Sequence, residues 1–181
     1  MASSKDIYEA KVYAANIYAA GIWRGVGVAL AGNYSEEMVH ASLMDHFATN
    51  FSESASVSLD EQPFDYDSAS EAVSFDAVIM DDDTRRNISL QFNRLEVIAN
   101  CWAKPSANSY RAEELADAII SLYSQTNIPV YDFDTSGNPE VGYVRLKEAQ
   151  ILDRTFEMNV VHKIPGRHIM VRIPGHSQES P

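Results

Sequence analysis

Between Leu90 and Gln125 the spacing of apolar residues changes from every second position to every third or fourth across one turn marked by Pro105. Leu95, Val97, Ala99, Cys101 and Ala103 share one face of a predicted strand, and Arg94, Glu96, Asn100 and Trp102 take the other. Beyond the turn, Ala112, Leu115, Ala116, Ile119, Leu122 and Tyr123 form one stripe of a predicted helix, with Arg111, Glu113, Glu114 and Asp117 opposite. Asn108 or Ser109 can cap that helix, and Pro105 prevents an earlier start. One strand and one helix packed across a sheet are therefore written into this stretch.

The same reading predicts a helix from about Asp6 to Gly21, a glycine-interrupted link through Gly21, Gly25, Gly27 and Gly32, and a second helix from Ser35 to about Phe47. Ser35 opens the second helix, and Glu36 and Glu37 suit the positive end of its dipole. Strands are expected at Val57–Asp60 and Val73–Met80, with Asp81, Asp82 and Asp83 turning into the strand described first. After the Arg111–Tyr123 helix, residues 126–142 read as a turn-rich connection. Strands follow at Tyr143–Asp153, Phe156–Ile164 and His168–Ile173. The order predicts an α+β fold: an antiparallel-rich sheet with a helix packed across one face and helices at the N-terminus. It divides into residues 1–34 (apolar helix and glycine-rich link), 35–175 (the α+β domain) and 176–181 (a mobile tail).

At 181 residues and 45% hydrophobic, the chain can form one ordinary core. Its net charge of −12 argues against gripping phosphate backbones, and the charge is uneven: Asp45 to Asp83 holds eleven acids and no Lys or Arg. Such a stretch stays solvated or faces a basic partner. The lone Cys101 cannot form an internal disulfide and reads as a small buried hydrophobe in a reducing compartment. No convincing export signal opens the chain. Val12 to Gly32 is long enough to span a bilayer, but Arg24 near its middle would cost about 2.5–3.5 kcal/mol, so no membrane partner is expected.

Candidate chemistry is sparse. Gly25 to Leu30 lacks a preceding strand and the third glycine of a dinucleotide loop. Asp132, Asp134, Ser136 and Gly137 match the first half of a calcium loop, yet its twelfth position is Tyr143 where a bidentate Glu is required. Asp81–Asp83 point in different directions from a turn and have no ligand at metal spacing. His40 and His46 are six apart on a helix, and His162, His168 and His176 read as strand-edge or surface residues. No catalytic residue, cofactor or metal ligand is assigned, and the chain is not expected to be an enzyme. A small-ligand or metal-binding enzyme centred on Asp81–Asp83 or Asp132–Ser136, and a cytosolic interaction module, are two further readings from different classes.

The stretches RLEVIANCWAKPSANSYRAEELADAIISLYSQ, GYVRLKEAQILD and RHIMVRIPG together resemble the tail terminator (tail completion) proteins of long-tailed bacteriophages. The resemblance spans residues 35–175, with a helix at Ser35–Phe51 and an acidic hairpin at Val57–Met80, and leaves out the first 34. It implies a virion protein, assembled in the host cytoplasm, that forms a homo-hexameric ring. Such a ring stops tail-tube polymerisation and meets the tail tube protein on one side and the neck or connector protein on the other. A neck adaptor or tail tube protein is the alternative within the same machinery. The implied lumen passes DNA without specific binding. Asp60, Glu61, Asp65, Asp67, Asp81, Asp82 and Asp83 are the candidates for a negative lumen lining or a contact with a basic neighbour. The ring is expected to close through edge strands and the loops around Asp60 to Asp76.

Overall fold

A computed structural model describes residues 35–59, 69–80, 92–105 and 110–179. The elements are α1 (Glu36–Asn50), β1 (Ser56–Leu59), β2 (Glu71–Met80), β3 (Phe92–Ala103), α2 (Arg111–Tyr123), β4 (Asn127–Tyr131), β5 (Glu140–Leu146), β6 (Gln150–Asp153), α3 (Thr155–Val160) and β7 (Arg167–Glu179). The strands form one sheet in the order β1-β2-β3-β7-β5-β4, and β6 pairs with β7 beside β5. Every pair is antiparallel except β1 with β2. This is the predicted α+β fold with an antiparallel-rich sheet. The predicted helix at residues 6–21 lies outside the described residues.

The core forms on one face of the sheet. In β3 the odd positions Leu95 to Ala103 are all buried, as the alternation requires, and they meet Phe75, Ala77 and Val73 on one side and Ile169, Val171 and Ile173 on the other. Over this face α2 lays Ala112, Leu115, Ala116, Ile119 and Tyr123, while α1 contributes Val39, Leu43, Met44 and Phe47. Leu122 is only partly buried, at the edge of the stripe. Phe51, Phe47, Phe75 and Tyr123 form a run of aromatic contacts, with centroids 4.7, 4.5 and 5.0 Å apart. The buried Tyr123 hydroxyl donates to the Leu43 carbonyl at 2.8 Å, which satisfies the one polar atom in that cluster and ties the two helices together.

Helix boundaries follow local chemistry unevenly. Ser35 caps α1 as expected, its hydroxyl accepting from the Met38 amide at 3.2 Å. The cap position of α2 is Tyr110, not Asn108 or Ser109, and no side chain bonds there. Arg111 instead holds this end: its guanidinium bonds Glu71, Glu53 (2.9 Å) and Glu114 (3.1 Å), fastening the first turn of α2 to the entries of β1 and β2.

Several expectations are corrected. The Val57–Met80 region is not a hairpin, because β1 and β2 run parallel; side-chain alternation specifies faces, not strand direction. Asp76 sits within β2, not in a loop. Residues 127–131, read as part of a turn-rich connection, form β4; as an edge strand it tolerates Pro129, a residue without an amide hydrogen. Its Tyr131 amide is satisfied by Ser42 of α1 at 2.9 Å. Tyr143–Asp153 is two strands, β5 and β6, that pair with different halves of β7.

Phe156–Ile164 is not a strand but the one-turn helix α3 and a loop. The apolar residues Phe156 and Val160 also fit a four-residue spacing, and a short apolar run does not distinguish the two periods. The local bonds decide it: the Asp153 carboxylate accepts from the Thr155 amide at 2.9 Å, and Arg154 bonds Glu157 one turn on at 2.9 Å. The loop then closes at Gly166, with φ +140°, where an added Cβ would lie 2.4 Å from the Ala103 carbonyl oxygen. Finally, residues 176–179 are not a mobile tail. They continue β7 between β3 and β5, with Gly175 and Ser177 buried, so the folded domain extends past residue 175.

Candidate interaction surface

Each side of the sheet has a distinct chemistry. The helix-bearing face is apolar and closed, whereas the opposite face, built from the even positions of β3 and β7, is mixed. Ile98 there neighbours Asp76 and Arg172 in register, and Arg172 makes a paired contact with Glu96 at 2.6 and 3.1 Å. Val78 and Met80 stand on it 40% and 46% exposed.

The predicted acidic candidates Asp60, Glu61, Asp65, Asp67, Asp81, Asp82 and Asp83 all lie outside the described residues. The Asp132–Ser136 alternative is a self-satisfied turn. Asp132 is buried and accepts from the Thr135 hydroxyl at 2.7 Å and from the amides of Asp134 and Thr135 at 3.0 and 3.2 Å. Those bonds, the Thr135 hydroxyl first, lower its pKa and use its oxygens inside the loop. Among the described residues, no group of three or more His, Cys, Asp or Glu side chains is placed to hold a metal ion. Cys101 is buried as expected, and burial pushes its thiol pKa up to about 12, so it is no nucleophile.

The histidines divide by position. His46 packs edge-on to Tyr123 at 5.3 Å, and burial lowers its pKa against the opposing influence of Leu122 and Asp45. His168, expected at an edge or on the surface, is 6% exposed because β7 is a central strand and α3 closes over this end. Its Nε2 lies 3.1 Å from the Ile164 carbonyl, and burial, followed by Arg154, outweighs that bond and lowers its pKa. With Trp102, Asn100, Arg154, Met158 and Met170 it lines a cavity of about 180 Å³ beneath α3. The polar groups there are engaged within the fold: Trp102 Nε1 donates to the Pro165 carbonyl at 3.2 Å, Asn100 to Ser74 at 3.1 Å and Arg154 to Glu157.

Two depressed histidines set a pH dependence. The unfolded chain takes up protons near pKa 6.5, whereas native His46 and His168 resist them, so stability is complete above that value and falls as pH drops below it. The thermal midpoint should therefore decline on acidification through this window. His168→Gln, which retains a donor toward Ile164, should remove part of the slope. The lowered carboxylates Asp132, Asp153 and Glu157 act later, as pH falls below their ordinary values of 3.8 to 4.5.

Four of the five most exposed large hydrophobic side chains among the described residues, Tyr110 being the exception, gather at one margin of the sheet. All four residues of β6 are exposed, with Ile151 at 57% and Leu152 at 42%. The adjoining α3 buries none of its residues, and Phe156 is 78% exposed, followed by Val160 and Val161. Asp153, Thr155, Asn159 and Arg167 edge a shallow depression between β6 and this helix. Among the described residues, no strand pairs with the outer edge of β6. Sequence reading missed this surface, although its signal, apolar residues between polar ones from Phe156 onward, was present and assigned to an alternating strand.

No protein-family model matches this chain, and no curated protein is significantly similar to it. Among the described residues no helix is long and apolar enough to cross a membrane, and the Val12–Gly32 stretch lies outside them. The surface therefore has to be interpreted by its own chemistry. Large apolar groups beside an unpaired strand edge suit association with another protein.

Proposed function

We propose that this chain is a virion structural protein, a ring-forming tail terminator of a long-tailed bacteriophage, which stops tail-tube polymerisation and joins the tail to the neck. The observation that carries the reading is the exposed β6 edge and its apolar companion α3, set on a sheet whose core lies on one face. An unpaired strand edge flanked by Phe156, Ile151 and Leu152 gains both backbone hydrogen bonds and apolar burial from a neighbour. A closed ring satisfies every such edge without growing into a fibre.

On this reading the protein is not an enzyme and carries no cofactor. Its partners are further copies of itself, the tail tube protein and the neck or connector protein, with DNA passing through the lumen. The acids from Asp45 to Asp83 suit a surface that repels phosphates and lets a duplex slide. The resemblance in residues 94–125, 142–153 and 167–175 is what points to the terminator in particular. Size-exclusion chromatography with light scattering on concentrated protein should show a discrete closed oligomer, six-fold by the family pattern. A strictly monomeric species, both in solution and after incubation with tail tubes, would overturn the proposal.

A further inference from the structure

Five of the ten large hydrophobic side chains exposed among the described residues fall between positions 151 and 161: Ile151, Leu152, Phe156, Val160 and Val161. They straddle the β6 margin. Ile151 stands opposite Val171 and shares its helix-bearing face, Leu152 stands opposite Met170 on the other face, and α3 follows with none of its residues buried. The other five, Val57, Val78, Met80, Tyr110 and Phe133, are scattered over β1, β2, the start of α2 and the β4–β5 turn. Ahead of α1 the sequence holds a second apolar surface. Residues 6–21, outside the described residues, are predicted as a helix with Ile7, Ala10, Ala14 and Ile17 on one stripe and Tyr8, Ala15 and Tyr18 beside it. A helix apolar over so much of its circumference needs a surface to bury against. The helix-bearing face of the sheet is already taken by α1 and α2, which leaves the β6 margin as the concentrated apolar surface of the described domain.

We propose that the margin formed by β6 and α3 is the docking site of the chain's own residues 6–21. Length permits it: the link at residues 22–34 extends to about 43 Å, whereas a compact domain of this size has a radius of gyration of only about 15 Å. The segment ends at the Ser35 cap of α1 and can therefore reach around the domain. Attachment also selects it over a neighbour's copy, because a tether holds it at an effective concentration on the order of millimolar. The shallow depression edged by Asp153, Phe156, Val160 and Arg167 suits an apolar helix side laid into a groove. The contact does not depend on the ring reading. If rings form through β6, the incoming neighbour displaces the segment, which then covers the surface only in the unassembled chain.

Photocrosslinking in the full-length chain tests the contact. Phe156 is 78% exposed, so replacing it by the photoreactive p-benzoylphenylalanine should leave folding intact. Irradiation of dilute protein should join position 156 to residues 6–21, recovered after trypsin in the peptides Asp6–Lys11 or Val12–Arg24. Mixing with an isotope-labelled copy should show the adduct to be within one chain. Ile17→Asp removes one apolar side chain from the stripe and should lower the yield about tenfold or more. The same photoreactive residue at Phe133, outside the cluster, should not capture the segment. Adducts between labelled and unlabelled chains would overturn docking of the chain's own segment in favour of exchange between copies. Adducts confined to other residues, no adduct, a yield unmoved by Ile17→Asp, or equal capture from position 133 would each overturn the site. Light scattering on the same samples reads the ring separately, so failure of this contact and failure of the ring are distinguishable.

Discussion

Ile119→Asp should abolish soluble folding. Ile119 is fully buried at the centre of the α2 stripe and faces a sheet surface made of Leu95, Val97 and Cys101. The substitution removes an aliphatic side chain, which costs about 2–5 kcal/mol in large-to-small core changes, and adds a carboxylate with no buried cation in the core cluster. Burying that charge, or protonating it to avoid doing so, takes the total toward the roughly 5–15 kcal/mol that holds a whole domain together. Expression into the insoluble fraction, or a chain without a cooperative thermal transition, is the expected outcome. Ile119→Val is the control, since it keeps the site apolar and should cost only about 0.5–1.5 kcal/mol. An Ile119→Asp protein that unfolds at the wild-type temperature would mean that α2 does not pack on this sheet.

Arg111→Met should lower stability by about 2 kcal/mol, between the roughly 1 kcal/mol of an exposed pair and the 3–5 kcal/mol of breaking a buried one. The methionine preserves much of the apolar stem, so the loss isolates the charge. Arg111 is the shared cation of Glu53, Glu71 and Glu114, with its side chain 18% exposed and those of its partners 35%, 24% and 49% exposed. Hydrogen bonding to Glu71, above all, raises its pKa, so the group remains charged throughout. Without it, three carboxylates converge where α2 begins and β1 and β2 enter the sheet. For a domain of this size the thermal midpoint should fall by about 4–8 °C. Raising the salt concentration should recover part of the loss by screening the carboxylates, and Glu71→Gln in the same background should recover more. A midpoint unchanged by Arg111→Met would show the network to be a solvated surface cluster.

The sequence by itself determined the elements whose periodicity is long and one-sided. Eleven positions of β3 and α2 were enough to assign a face to each, because Leu95 to Ala103 repeat their period over five alternating positions and Ala112 to Tyr123 over three turns. The cap at Ser35 and the inert Cys101 were legible for the same reason: the chemistry that decides them is local. Tertiary structure decided whatever depends on neighbours distant in the chain. Pro129 is acceptable in β4 only because that strand is an edge, and Ser42 of α1 completes it. Residues 174–179 look polar and terminal, yet pairing with β3 and β5 on both sides satisfies their backbone and makes them interior. The parallel run of β1 with β2 is invisible to alternation, which is the same in either direction. The candidate surface was lost in the same way. Phe156 and Val160 look like core residues in sequence, and only the placement of β6 at a sheet margin, with α3 turned outward beside it, leaves them exposed. Apolar spacing records which residues share a side, but whether that side meets the chain's own core or another molecule is a property of the assembled fold.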